Sequence, residues 1–511
     1  MEGASPHLTA PTWRSTYGLL VAVGVGVLAV GLLLPFLIAD PAVDLSSGTG
    51  LTTPSVLGPA ATVPGGGLAP VPTVPGGGPA VTVAAGGGGS VATTPVGGGG
   101  GPVDTAGGGA VPADVARTAS DVGITPDAIT VGIPVPDTAK YSDSEGGVEF
   151  GAKIGNFQAQ YQAAIDELNS RGGILGRQVV PVFRLYDALD PDSQRAACVY
   201  LTEEAKVFAV LGGFYGDPIL CLTQQHQTLL IAQASESDDF YAQAGGLYFS
   251  IYPTKDRMLH NQVALLVRDG LLTGHTVGIL DQEGVDAVPV DRTLIPELEA
   301  AGIPIAHHSR VAQDASAAQS QIPLEVQRMR DAGVDEIIVA AGLIRSSVFV
   351  QEADSQRYHP RYLLSDFASG ATDIYTTAMP DSFEGAIAYT SLRTGEVAVG
   401  RSPAPNDAAC QEVYERRTGT HVETGGSEYS YVVTACGIVR LFELGMIAAG
   451  PNPTRASASE ALQGLGPVDV PFGAPGSFAP GKFDASDQAR QVAWHADCKC
   501  WLPTGEFQPT A

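Results

Sequence analysis

Residues 164–193 read AIDELNSRGGILGRQVVPVFRLYDALDPDS, and the fold turns on how the pattern changes along this stretch. Its opening closes a helical pattern in which Phe150, Ile154, Phe157, Tyr161, Ile165 and Leu168 recur at steps of three and four, giving one apolar face. Gly172-Gly173 stops that helix, and QVVPVFRLYD (178–187) continues as a strand. Asp190-Pro191 then supplies an N-cap and a proline at the first helical position of the next helix. With the β-branched run ITVGIPV (129–135) upstream, the order is strand, helix, strand, helix. A helix between strands is the usual crossover of parallel strands, so a βαβ unit is predicted.

The alternation continues downstream. VFAVLGG (207–213) and LLIAQA (229–234) complete a first set of strands. After LYFSIYPTKDR (247–257) a second set begins, with TVGILD (276–281), IPIAHHS (303–309), EIIVAA (336–341) and RYLLSD (361–366), each separated by a helix-length segment. EGAIAYTSL (384–392) is a further extended run, and helical patterns occupy about Asn406–Thr418 and Tyr429–Ala449. The last of these is apolar but holds Arg440 and Glu443, so a buried helix is expected there rather than a membrane span. The fold class predicted is α/β, with two doubly wound lobes side by side.

Upstream the chain is of another kind. Residues 17–39, YGLLVAVGVGVLAVGLLLPFLIA, carry no charge and are long enough to cross about 30 Å of hydrocarbon as a helix. Arg14 before this run and Asp40 and Asp44 after it orient residues 1–16 to the cytoplasm and the rest outside. A cleaved signal, giving a secreted protein, is the alternative; against it stand the length of the apolar run and the lack of a clear cleavage site. Residues 41–110 contain 21 glycines and almost no charge, with VPGGG occurring twice, so 40–128 is expected to be a disordered Gly/Pro-rich linker. The whole chain of 511 residues has 28 basic and 54 acidic residues, a net charge of −26 that repels nucleic-acid phosphates. Most of that charge lies in the domain predicted over 129–511.

The stretch 164–193 resembles the first βαβ unit of the leucine/isoleucine/valine-binding family of type I periplasmic binding proteins, the substrate-binding components of ABC transporters. Asn169, Gly172-Gly173-Ile174, Gly176-Arg177, Asp187 and Asp190-Pro191 carry the likeness. VFAVLGG, DAGVDEIIVAAG (331–342) and DSFEGAIAY (381–389) extend it over about 129–505. The resemblance implies two lobes joined by three crossovers, placed near Tyr252, near Tyr389 and within 467–480. The first lobe would then comprise about 129–252 and 390–467, and the second 253–389 and 468–511. A ligand cleft between them would shut by hinge motion.

By position, the resemblance places Tyr141, Gly213, Phe214, Tyr215, Ser235, Glu236 and Ser237 at the cleft from the first lobe. From the second come Glu283, Ile344, Arg345, Asp366 and Phe367. Asp366 stands where the family's ammonium-pairing carboxylate lies, although it also suits a helix N-cap. Glu236 departs from the family pattern, in which small and hydroxyl residues are usual. Unless it points to solvent, it combines with Glu283 and Asp366 to make an acidic cleft, which favours a cationic or polar neutral ligand.

Cys198 and Cys221 lie on neighbouring helices of the first lobe, and Cys410 and Cys436 on the two late helices, so each pair suits a structural disulfide outside the cytoplasm. Cys498 and Cys500, in WHADCKCW, suit a local disulfide or a redox-labile pair better than a zinc site. GSFAPGKF (476–483) has P-loop spacing, but Phe483 replaces the hydroxyl residue that would hold magnesium. Enzyme activity, cofactor and metal are therefore not expected. The expected function is capture of a small polar solute, an amino acid or related compound, for an ABC permease. A membrane-tethered ligand-sensing receptor of the same fold is the alternative.

Overall fold

The computed structural model describes residues 115–138, 154–188, 190–214, 216–372 and 379–510. The expected tail, membrane span and most of the linker lie outside the described residues, as do Tyr141 and Tyr215. The first sheet is five-stranded and parallel in the order β2-β1-β3-β4-β5, from β1 (Ala128–Pro136), β2 (Gln178–Tyr186), β3 (Ala209–Leu211), β4 (Leu229–Ala232) and β5 (Tyr248–Ser250). Helices α1 (Phe157–Ser170), α2 (Pro191–Val199), α3 (Asp217–Leu220) and α4 (Asp238–Gln243) connect these strands.

The stretch that decided the fold is also what fastens this lobe. The Asn169 side chain both donates to the Val179 carbonyl and accepts from its N–H, each at 2.8 Å, tying the end of α1 to β2. Gly173 has φ +68°, and a Cβ there would lie 1.9 Å from the Arg177 carbonyl oxygen, so only glycine closes the turn. Arg177 is 1% exposed and donates to the carbonyls of Thr125, Thr118 and Pro451. Asp190 caps α2 by accepting from the Asp192 N–H. Helix α1 starts later than the apolar spacing suggests. Gly155 (φ +70°) breaks the chain direction and Asn156 caps from the Ala159 N–H.

The second sheet repeats the topology. Strands β6 (Val277–Gln282), β7 (Ile305–Val311), β8 (Glu336–Ala340), β9 (Arg361–Ser365) and β10 (Ile387–Thr390) run parallel in the order β7-β6-β8-β9-β10. Helix α5 (Lys255–Arg268) leads into them. The others are α6 (Ala287–Pro289), running through one π turn into α7 (Ile295–Ala300), then α8 (Ala315–Asp331) and α9 (Leu343–Ser355). Helices α10 (Pro405–Thr418), α11 (Ser427–Ala449) and α12 (Arg455–Gln463) return to the first lobe. Among the described residues only α11 is long and apolar enough to cross a membrane, and its Val433, Ile438 and Phe442 are buried in the first lobe's core. Gly437 allows that packing, since a Cβ there would meet Pro471 at 2.2 Å.

The chain passes between the sheets after β5, after β10 and again near Asp484, where Ser250 and Asp484 form a bridge. The third passage therefore lies beyond the expected 467–480. That segment forms a hairpin of β11 (Gly466–Val468) and β12 (Gly476–Phe478), and Val468, Val470 and Phe478 are buried with α11 in the first core. Residues 468–485 thus belong with the first lobe, held there by this apolar burial. The chain then adds β13 (Gln488–His495), antiparallel to β10, and β14 (Cys500–Pro503) to the second sheet, with β15 (Gln508–Pro509) on β13. Disulfides join Cys198 to Cys221, Cys410 to Cys436 and Cys498 to Cys500.

Candidate functional site

In each sheet strand order reverses beside the first strand of the set, at β1/β3 and again at β6/β8, and the loops beyond the carboxyl ends of the strands form the crevice. These loops meet across the two lobes. Glu236, after β4, lies 2.6 Å from Lys255 Nζ, and the same ammonium lies 2.5 Å from Asp286 in the loop after β6. Burial alone would lower the Lys255 pKa, but Glu236 and Asp286 outweigh it and hold the pKa above the ordinary lysine value. Lys255 Nζ also stands 5.8 Å from the centre of the Phe367 ring. Leu343, at the start of α9, packs against the cores of both lobes.

A second cross-lobe cluster sits beside the first. Arg292 makes bonds of 2.6 Å to Asp239 of α4 and 2.7 Å to Asp256 of α5. Asp256 accepts in turn from the Asp238 N–H at 2.9 Å. At the crossings, Ser235 donates to the Tyr252 carbonyl at 2.9 Å, and Tyr241 donates to Ser250 Oγ at 2.6 Å. Arg257 pairs with Asp484, linking the first passage to the third.

The structure brings Glu236 and Phe367 together around Lys255, from opposite lobes. Glu236 does not point to solvent. It is 1% exposed, and its second oxygen accepts from the Gly216 N–H at 2.8 Å. Asp366 is turned to the second crossing, where it accepts from Thr390 Oγ1 and, at 2.7 and 2.6 Å, from the N–H and hydroxyl of Ser391. Burial raises its pKa and those hydrogen bonds oppose the rise. Asp366 precedes a short 3-10 turn, Phe367–Ser369, without capping it through its side chain. Two of the three carboxylates expected at the cleft, Glu236 and Asp366, are thus bonded to groups of the protein itself. Glu283 is the exposed one, its N–H donating to the Val311 carbonyl at 2.9 Å.

Phe214 is fully buried against Tyr186, with ring centres 4.8 Å apart, and the Gly213 carbonyl accepts from the Tyr186 hydroxyl. Ser237 is buried and precedes α4 without a side-chain cap bond. Ile344 and Arg345 lie half-buried in the first turn of α9, and Arg345 donates to the Gln313 carbonyl on the same rim. Lys255, Asp286 and Leu343 were not singled out by the sequence reading. Lys255 follows the first crossing directly in IYPTKDR, with Arg257 two residues on, and basic residues beside so acidic a set of loops were the available signal.

A periplasmic binding protein family profile matches residues 128–499. A Leu/Ile/Val-binding protein homolog of Brucella abortus is 22% identical over 344 residues, covering 64% of this chain and 79% of the relative. Among solved structures, a fatty acid ABC transporter substrate-binding protein from Thermomonospora curvata superposes with a TM-score of 0.57 at 20% identity, covering 76% of this chain and 95% of that one. A solute binding protein of an ABC transporter from Rhodopseudomonas palustris, in complex with 3,4-dihydroxybenzoic acid, gives 0.58 at 15% identity and covers 75% and 98%.

Proposed function

Because the chain belongs to the periplasmic binding protein family, we propose that it captures a small polar solute between its lobes and delivers it to an ABC permease. The observation that carries this reading is the meeting of the two lobes at the carboxyl ends of their strands, through Glu236–Lys255–Asp286 and Leu343, around a hinge of three passages. A ligand touching both rims stabilises the shut form, and the permease distinguishes shut from open. Residues 17–39 are the membrane tether and 40–114 the spacer that sets the domain's reach outside the cell; the expected linker ends short of 128, because 115–128 pack on the first lobe, with Ile124 buried in its core and Thr118 and Thr125 bonded to Arg177. No chemical turnover is part of the function.

The ligand is an amino acid or a related carboxylate-bearing compound. Lys255 offsets one of the two negative charges of Glu236 and Asp286, and the hydroxyls of Thr390 and Ser391 hold Asp366 without cancelling its charge, so this ligand class is drawn from the relatives rather than from the charge of the rims. The relatives' ligands, named as Leu/Ile/Val, fatty acid and a dihydroxybenzoate, share that group. Gly213, Phe214, Ser235, Ser237, Glu283, Ile344 and Phe367 are the proposed lining, with Tyr141 and Tyr215 from the loops outside the described residues. Native mass spectrometry of the purified full-length protein identifies a retained solute, and calorimetry with leucine, lysine and 4-hydroxybenzoate ranks the classes. Micromolar binding of leucine or the benzoate is expected. Binding of lysine alone would restore the acidic-cleft reading, and conversion of a bound solute would overturn the proposal.

A further inference from the structure

The Cys498–Cys500 bridge is set apart from the other two disulfides by three features. It closes over one intervening residue, whereas the others span separations of 23 and 26. Cys498 is exposed and Cys500 half-buried, while Cys198, Cys221, Cys410 and Cys436 are all buried. Lys499 between them has φ +50°, a left-handed backbone that a non-glycine residue adopts at a cost. Accessibility of the attacked sulfur governs thiol–disulfide exchange, and exposed bridges are the labile ones.

The site can open without loosening the fold. It lies at the turn between β13 and β14, where His495 pairs with Cys500 and the next pair inward, Trp494 and Trp501, is fully buried. Lys499 Nζ is fastened to the Met379 carbonyl and Asp381, both at 2.9 Å. Because β13 runs antiparallel to β10, its carboxyl end lies at the edge of the second sheet opposite the ligand crevice. The Cys498 sulfur lies 3.7 Å from the His495 carbonyl and 3.8 Å from that of Cys500, acceptors for the thiol once the bridge is reduced.

The geometry points to Cys498–Cys500 as a thiol-exchange site at which a low-molecular-mass thiol is taken up as a mixed disulfide on Cys498. The incoming thiolate attacks the exposed Cys498 sulfur, the Cys498–Cys500 bond breaks, and its electron pair leaves on the Cys500 sulfur, which takes up a proton. A second equivalent of thiol, attacking the mixed disulfide through its thiolate, forms the free disulfide and leaves both cysteines reduced. The partner is the small thiol itself, and the solute cleft is untouched.

The test treats the native full-length protein with millimolar N-acetylcysteine, quenches with an alkylating agent and maps the peptides by mass spectrometry. Reduction at Cys498–Cys500 is expected to be at least about tenfold faster than at either buried bridge. Equal rates, or earlier loss of a buried bridge, would overturn the proposal. The Cys500→Ser variant, which lacks the resolving sulfur, is expected to trap one N-acetylcysteine on Cys498 when treated with the oxidised thiol; a Cys498 that stays unmodified there sinks it. In the double variant Cys498→Ser, Cys500→Ser the fast phase should vanish while native hydrogen exchange elsewhere is kept, and a persisting fast phase equally overturns the assignment.

Discussion

Lys255 is the residue on which the two rims converge, and its chemistry explains why an acid is tolerated where the family pattern has hydroxyls. A buried carboxylate, Glu236, and a half-buried one, Asp286, share one ammonium. Breaking a buried ion pair by deleting one partner leaves the other charge uncompensated, which costs about 3–5 kcal/mol. Lys255→Met is therefore expected to lower the unfolding free energy by about that amount, with two acids stranded. Adding Glu236→Gln should recover part of the loss, because one stranded charge is removed. Urea unfolding of the parent, single and double variants checks this. If Lys255→Met costs less than about 1 kcal/mol, the bridge is no more than a solvent-screened surface pair.

Among the elements, the joint between α10 and the segment ahead of β12 is the one whose stability depends most plainly on pH. Asp407, in the first turn of α10, is 3% exposed and accepts from the Phe472 N–H at 3.3 Å, with Arg393 Nε at 3.9 Å. Burial pushes its pKa up to about 6; the Phe472 hydrogen bond and Arg393 oppose the rise, while Asp469 and Glu396 add to it. The native state therefore holds this proton more tightly than the unfolded chain does between about pH 4 and 6. Unfolding free energy must fall as pH rises through that window, by about 3 kcal/mol from this group, and level off above it. Asp407→Asn cannot titrate, so its stability, measured in urea at several pH values, should lack that component of the slope. Parallel profiles for parent and variant would show that Asp407 is ionised without cost. The same scale shows what the sequence could disclose. The ten parallel strands of the two sets were mostly legible, β5 least so, because each buried strand is an apolar, largely β-branched run bounded by turn residues. Strands β11 and β12 were not legible, since 467–480 was expected to carry the third crossover, whereas GPVDVPFGAPGSF (466–478) becomes a hairpin against α11. In the site, strand-end position located Glu236 and Asp366 but not their partners. Lys255 and Ser391 come from the crossings, and which acid each one meets is decided by tertiary packing.

At the scale of the whole molecule, the question is how closely balanced the open and shut forms are before a ligand arrives. The rims already touch through the buried Lys255 bridge, through Leu343 and through Arg292, whose contact with Asp239 is largely exposed to water. An exposed pair of this kind contributes about 0.2–1 kcal/mol and is screened by salt, with a Debye length of about 10 Å at 0.1 M. That is enough to change the open-to-shut ratio by up to about fivefold without affecting the fold of either lobe. Asp239→Asn should therefore shift the ligand-free protein toward the open form at low salt while leaving its melting temperature unchanged. Labels on the exposed Gln224 of the first lobe and Gln327 of the second report the separation. The parent should open progressively as salt is raised and converge on the variant, which should respond less. A separation that is the same in both proteins and indifferent to salt would mean that the buried bridge alone sets the balance, and Lys255→Met would then be the variant that opens the cleft.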